Sequence, residues 1–492
     1  TIVLVIFLGG MSAGAAWTAR HSQRMKQPLF WYARVEAATG IIGFAFHGVF
    51  GVVTAFCYDT LFPALPGGMT LTVAKWSIAA LLILPQSVLL GTTFPLMSAG
   101  YLRASSPDGR MGSGRVLANL YFANSLGASI GVLVAGFVLI RAFGLPGTLQ
   151  AAGILNVVVA AMVVAIVQLS REDDGLPATA PAPPVESPVS GTDAAALSRV
   201  LLAVAFGTAV SSFIYEISWV RMLSLVLGSA THSFELMLSA FILGIALGAF
   251  WVRTHADAFR HPMRALAITQ WVMGALAIAT LSVYVWSFEW MAMLLQALAR
   301  TDEGYRLFSV ARYAICLAVM LPATFCAGIT LPLITRILLA GGAGERAIGV
   351  VYSINTFGSI VGAALAALVL MPLIGLKAML VSGAAIDMAL GVWLMWRSGA
   401  ASAPARHVAR VLAVAGLLAA LGATLFAPFT REMLTSGVFR YARVERDVRN
   451  VIFYKDGRTA TVSVRQTAGK KEFSLSTNGK PDASLSPIWF DS

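Results

Sequence analysis

Charge is what this chain has least of. Only 12% of its 492 residues are Asp, Glu, Lys or Arg, 58% are hydrophobic, and the mean hydropathy is +0.78. A soluble chain of this length carries about twice that share of charge, so a water-soluble globular protein is excluded. Acids are scarcer than bases, 23 against 35, for a net charge of +12. The bases gather in short segments between apolar runs, which suits loops beside anionic lipid and argues against a nucleic-acid surface. Cysteine is almost missing: Cys57, Cys316 and Cys326 lie apart in apolar sequence with no CxxC spacing. That excludes a disulfide framework and a zinc site. The six histidines form no ligand-spaced cluster, and P-loop, HExxH, GxSxG and strand-flanked GxGxxG motifs are lacking. No catalytic residue, metal or cofactor is expected in this chain. A cleavable signal peptide is not evident.

What is present is a pattern written twice. LPATFCAGITLPL (residues 321–333), YSINTFGSIVGA (352–363) and MPLIGL (371–376) have counterparts about 230 residues earlier. These are LPQSVLLGTTFPL (84–96), YFANSLGASIGV (121–132) and IRAFGL (140–145). Pro85 pairs with Pro322, Gly91 with Gly328, Tyr121 with Tyr352, Asn124 with Asn355 and Gly131 with Gly362. Phe7, Gly10, Gly14 and Trp17 likewise pair with Phe241, Gly244, Gly248 and Trp251. Residue types that punctuate helices, recurring at nearly constant separation, indicate an internal repeat.

Repeated apolar runs of roughly 20 residues are bilayer-spanning helices. Residues 1–169 form a first membrane unit, and 170–197 are a Pro/Ala-rich linker read as extended. Residues 198–397 form a second unit of about six spans, and 398–430 hold an extra helix and a connector. Residues 431–492 turn polar. Strand-like alternation at 450–457, 460–466 and 471–479, with turns at Asp456-Gly457 and 468–470, predicts a small antiparallel sheet. Residues 72–102 are too long for one straight span and, interrupted by Pro85 and Pro95, should form a kinked or tilted helix. Thr1 falls where the second unit has Glu235, so the first unit has no match for the helix that opens the second. The expectation is that the sequence begins late. A groove should then lie open beside residues 1–17, filled by that helix, a partner subunit or lipid.

Charges and amides inside spans are functional candidates, because they need partners or water. Glu216 and Asp387 lie deep in their helices, and Glu36 lies near a basic loop. Asn156 is the repeat partner of Asp387, Gln270 of Glu36, and Arg312 of Lys75. Asn124 and Asn355 stand at matching places among small residues, where interhelical hydrogen bonds or solute contact are both open. Glu216, Asp387, Glu36, Asn124 and Asn355 are the candidate substrate-binding residues. Lys75, Arg221 and Arg312 are read first as ion-pair partners or snorkelling side chains. Glu216 and Asp387 are expected to face the space between the two units.

Three stretches together resemble the membrane-fused spermidine synthase-like family. They are residues 214–250 (IYEISWVRMLSLVLGSATHSFELMLSAFILGIALGAF), the duplicated LP…G…TLPL and N…G…G pattern, and YKDGRTATVSV (454–464) with LSTNGKPDAS (475–484). The last resembles the small β-domain that precedes the catalytic fold of polyamine synthases. The resemblance implies a transporter-like membrane part and an aminopropyltransferase function. The family's nucleotide-binding loop has no counterpart before Ser492, and SPIWFDS (486–492) does not resemble its continuation. No catalytic residue is carried over.

The fold expected is therefore an all-α polytopic membrane protein of about 12 spans, with a small C-terminal antiparallel β-domain. Its two parallel repeats would resemble a major-facilitator-type arrangement. Expected partners are the lipid bilayer, a polyamine or other small cation, and a subunit or helix beside residues 1–17. A bacterial-type inner membrane is the expected location. The function implied is polyamine handling, by transport or by presentation to a synthase domain. The alternative is an accessory subunit of a larger membrane complex. Basic residues flank the last span on both sides, so the positive-inside rule leaves the side of the β-domain open.

Overall fold

A computed structural model describes residues 2–105, 113–174, 191–255, 258–298, 301–398, 403–444, 451–466 and 472–485. The first helices are α1 (Ile2–His21), α2 (Pro28–Phe56), the short α3 (Phe62–Ala64), α4 (Met69–Ser105), α5 (Ser113–Val134) and α6 (Ile140–Asp174). Then come α7 (Gly191–Leu227), α8 (Thr231–His255), α9 (Pro262–Ala297), α10 (Asp302–Ala340), α11 (Arg346–Ala364), α12 (Met371–Ser398) and α13 (Ala403–Phe426). Among the described residues ten helical runs are long and apolar enough to cross a membrane. A bilayer offers the backbone no partners, so each segment must satisfy its own N–H and C=O groups, which is why these apolar runs are helical.

Two runs are double-length, Gly114–Leu169 with 56 residues and Arg346–Ser398 with 53. Each passes through a π-helical segment, Ala135–Leu139 or Leu365–Leu370, and then breaks at a glycine. Gly144 has φ 66° and ψ −176°, and Gly375 has φ 73° and ψ 177°. Only a residue without a Cβ adopts that backbone cheaply. The two breaks fall in the matching motifs IRAFGL and MPLIGL.

The helices pack in corresponding pairs. Gly14 of α1 lies against Val88 and Gly91 of α4, and Gly248 of α8 lies against Phe325 and Gly328 of α10. Gly40 of α2 meets Gly153 of α6, and Gly274 of α9 meets Ala384 of α12. In each case a side chain would strike backbone. The main contacts that join the early helices to the later ones are α1 on α11 and α5 on α8, with smaller ones of α5 on α10 and α4 on α11.

Some expectations are extended or revised. Pro85 and Pro95 lie inside the 37-residue α4, as Pro322 and Pro332 lie inside α10, and non-helical backbone is found in addition at Gly144 and Gly375. The linker is shorter than 170–197, because helix continues to Asp174 and resumes at Gly191. The linker's remainder, the turn at 468–470 and the segment 486–492 lie outside the described residues.

After α13 the short helices α14 (Arg431–Leu434) and α15 (Val438–Tyr441) lead to the sheet. The sheet has four strands, one more than expected: β1 (Val451–Asp456), β2 (Thr461–Gln466), β3 (Phe473–Thr477) and β4 (Lys480–Leu485). They form an antiparallel meander in the order β1-β2-β3-β4. Asn478 and Gly479, both at positive φ, make the two-residue turn that adds β4. The sheet rests on one end of the bundle. Arg221 of α7 donates to the carbonyls of Thr459 and Gly457. Asn478 donates to Ser229 in the α7–α8 turn, and the amide of Leu376 donates to Asp456. Tyr454 of β1 is held against Asp456, and this with burial raises its pKa above the ordinary 10.0.

Candidate functional site

The polar interior of the membrane part is organised around α7. Its sequence mixes small and bulky apolar residues with Ser211, Tyr215, Glu216 and Trp219, and each face meets a different helix. Phe206, Ala209, Val210 and Phe213 lie against Gly358 and Gly362 of α11. Gly383 of α12 lies against Ile214 and Tyr215, and Trp219 donates to Thr280 of α9 at 3.1 Å. Tyr284 of α9 donates to the carbonyl of Met222 at 3.0 Å.

Asp387 is fully buried in the seam between α7 and α12. Ser211 donates to its Oδ1 and the Tyr215 hydroxyl to its Oδ2, each at 2.6 Å. Both carboxyl oxygens are thereby occupied, and no cation is among the partners within the described residues. This seam lies within the later set of helices, whereas the sequence led us to expect Asp387 in the space between the two units.

Glu216 lies on a different face. It follows Phe213 along the α11-facing stripe at helical spacing. It is half-buried, with no ion pair or hydrogen bond among the described residues. The two acids thus share α7 as a neighbour without sharing a site. Glu36 is buried within α2 beside the hydroxyl of Tyr32. Its counterpart Gln270 donates to Thr330 at 2.9 Å. Asn124 is exposed and Asn355 half-buried, and neither makes a hydrogen bond among the described residues. The five candidates therefore do not converge on one constellation.

The basic candidates have separate tasks. Arg221 docks the sheet, as described above. Arg312 is buried, donates to the Ser233 hydroxyl and lies over the Phe308 ring. Lys75 lies 5.4 Å from the centroid of Phe62. None of the three pairs with a candidate acid.

Sequence reasoning missed the contacts that join early and late helices. Ser12 of α1 and Ser353 of α11 each donate to the other's carbonyl at 3.0 Å. Ser129 of α5 and Ser239 of α8 do the same at 3.0 and 3.1 Å. A single serine in an apolar span carries little signal; only its apposition to a second serine gives it a role. Glu235 was not among the candidate residues. It is buried, accepts from His232 at 2.8 Å, and packs against Gly136 in the π-helical segment after α5. At the opposite end of the bundle Arg103 pairs with Glu345 at 2.6 Å and donates to the carbonyls of Ser22 and Met25. Among the described residues no group of three His, Cys, Asp or Glu side chains is placed to hold a metal ion.

A cleft of 290 Å³ opens between the connector and the sheet, lined by Ser436, Tyr441, Arg443, Arg465 and Ser476 among others. Arg465 is engaged there by Thr435 and the carbonyl of Glu432. No family model matches the chain, and no curated protein matches it either.

Proposed function

We propose that this is a membrane protein of two parallel repeats in a major-facilitator-type arrangement. It crosses the bilayer twelve times and handles a polyamine or similar small organic cation. Support for the repeats comes from the paired breaks at Gly144 and Gly375 and from the paired packing of α1 on α4 and α8 on α10. The reciprocal contacts of α1 with α11 and α5 with α8 fit a two-fold axis along the membrane normal, as in carriers built from parallel halves. On this reading residues 1–169 and 198–397 are the halves.

The observation that carries the cation is Glu216. A carboxylate in a span is retained only if something offsets its cost. Asp387 has its hydroxyls, while Glu216 has no partner among the described residues. A solute ammonium group would supply one. The resemblance to spermidine synthase-like fusions narrows that solute to polyamines, for carriage or for delivery to an aminopropyltransferase. The sheet lies at the bundle end opposite Arg20, Arg24, Arg103, Arg253 and Arg336. Arg397 and Arg406 also fall at that basic end, while Arg431, Arg440 and Arg443 stand on the sheet side; we read the larger cluster as cytoplasmic, with the sheet outside in a bacterial-type inner membrane.

The test is radiolabelled spermidine binding and uptake by the purified chain in proteoliposomes. Glu216→Gln should weaken binding tenfold or more while the melting temperature holds. Unchanged binding together with a lowered melting temperature would make Glu216 structural and the cation reading wrong. A second reading, an accessory subunit in a larger assembly, draws on the open helix faces of the early half.

A further inference from the structure

We infer that α5, α6 and α2 together form a seat for one further transmembrane helix whose contact face is chemically like that of α7. The inference rests on the two-repeat reading, not on the amine. In the later half α7 lies in a trough with three walls. Gly358 and Gly362 of α11 let its backbone come close, Gly383 and Asp387 of α12 take Tyr215 and Ser211, and Tyr284 of α9 caps the carbonyl of Met222.

Among the described residues no helix lies against the corresponding walls in the early half. Side chains added at Gly127 or Gly131, the partners of Gly358 and Gly362, come within 4 Å of no described neighbour. Ala152, at the place of Gly383, is exposed. Phe50, at the place of the fully buried Tyr284, is 46% exposed. Asn156, at the place of Asp387, makes no hydrogen bond among the described residues, nor does Asn124 on the bare face of α5.

Lipid is the other occupant to weigh, and the composition of the face argues against it. Where α13 meets lipid it presents Val414, Leu417, Leu418, Leu421 and Leu425, all more than half exposed. The bare face of α5 presents Ala123, Asn124, Gly127, Ala128 and Gly131, with Ile130 and Val134 exposed beside them. Small residues there permit close backbone approach, and an amide in hydrocarbon calls for a hydrogen-bonding partner. The occupant is therefore an apolar helix with bulky side chains at the spacing of Phe206, Ala209, Val210 and Phe213. It also carries a hydrogen-bonding side chain level with Asn156, as Ser211 and Tyr215 are level with Asp387.

The probe is a synthetic peptide of residues 198–227 carrying Phe213→Cys, added to the full chain in vesicles under mild oxidation. Within the chain, the pair Phe213→Cys and Gly362→Cys should crosslink, because the Phe213 Cβ lies 3.1 Å from where a Gly362 side chain would begin. Failure of that control would overturn the seating of α7 on α11 from which the seat is read, and the inference with it. With it in place, chain Gly131→Cys should crosslink to the peptide. The wild-type chain, whose three cysteines are buried, and a Leu155→Cys chain should not. Gly127→Leu, which meets no neighbour and so leaves the fold intact, should slow the Gly131 crosslink tenfold or more. Equal crosslinking at Gly131 and Leu155, or none at Gly131, would make the face a lipid surface and overturn the inference. Peptide-independent pairing of two Gly131→Cys chains would overturn it in favour of a second copy.

Discussion

Gly362 and Gly131 stand at the same place in matching motifs, yet a side chain at the first would run into α7 and one at the second would touch nothing. The contrast extends along the halves. Asp387 has two hydroxyl donors and Asn156 has none; Tyr284 is sealed and Phe50 is open. Similar sequence has thus been placed in two environments, one closed by a central helix and one open. In a membrane the small residue does not itself drive association. It only removes an obstacle, and the stabilisation comes from the helix that then packs.

The largest break of this comparison should come at the clamp. Asp387→Ala leaves the Tyr215 hydroxyl buried without a partner, at about 1–3 kcal/mol, while Ser211 keeps the Thr208 carbonyl as acceptor; Asn156→Ala should be near neutral. Thermal unfolding in detergent, followed by circular dichroism, measures both. Equal losses would mean that the two half-environments are alike. Next in size is steric: Gly362→Leu should cost about 1–3 kcal/mol through overpacking, and Gly131→Leu should change stability by less than about 0.5 kcal/mol. Occupation of the early trough by a helix would bring Gly131→Leu up to the later half's value, which makes this pair a direct readout of the seat.

The smallest effect is at the sheet, whose described docking contacts are to the later half. The folded Tyr454 phenol has its pKa raised above 10.0 by burial and by the neighbouring Asp456. The unfolded phenol ionises first as pH rises. The stability from Tyr454 is therefore fully present below about pH 10 and is lost as pH climbs toward the folded value. Tyrosinate absorbance should show the Tyr454 phenol among those that titrate late. Hydrogen exchange should show β1 and β2 loosening above that pH while α1 and α2 stay protected. Tyr454→Phe should lower the amplitude of the late titration by one phenol.

Much of the architecture was legible because membrane helices follow from composition. The glycine breaks were legible as motifs, although their left-handed backbone was not. The fourth strand was not foreseen, since Lys480–Leu485 has a proline and two charges and lacks clear alternation; it forms because the Asn478-Gly479 turn delivers it to β3. For the candidate site, the polar residues could be found but not sorted. Glu216 and Asp387 look alike in sequence, both acids in apolar helices. What separates them is a pair of hydroxyls 176 and 172 residues away along the chain from Asp387.

Taken alone, the sequence determined the class of the protein, its helical spans and its duplicated pattern. Scarcity of charge and length of apolar runs act locally, and the bilayer leaves an isolated apolar segment no option but helix. Tertiary structure alone decided which polar groups found partners, which glycines became contact points, and which half closed around α7. Those outcomes depend on helices meeting across hundreds of residues, and a span's own sequence is the same whether its small face meets a neighbour or lies open.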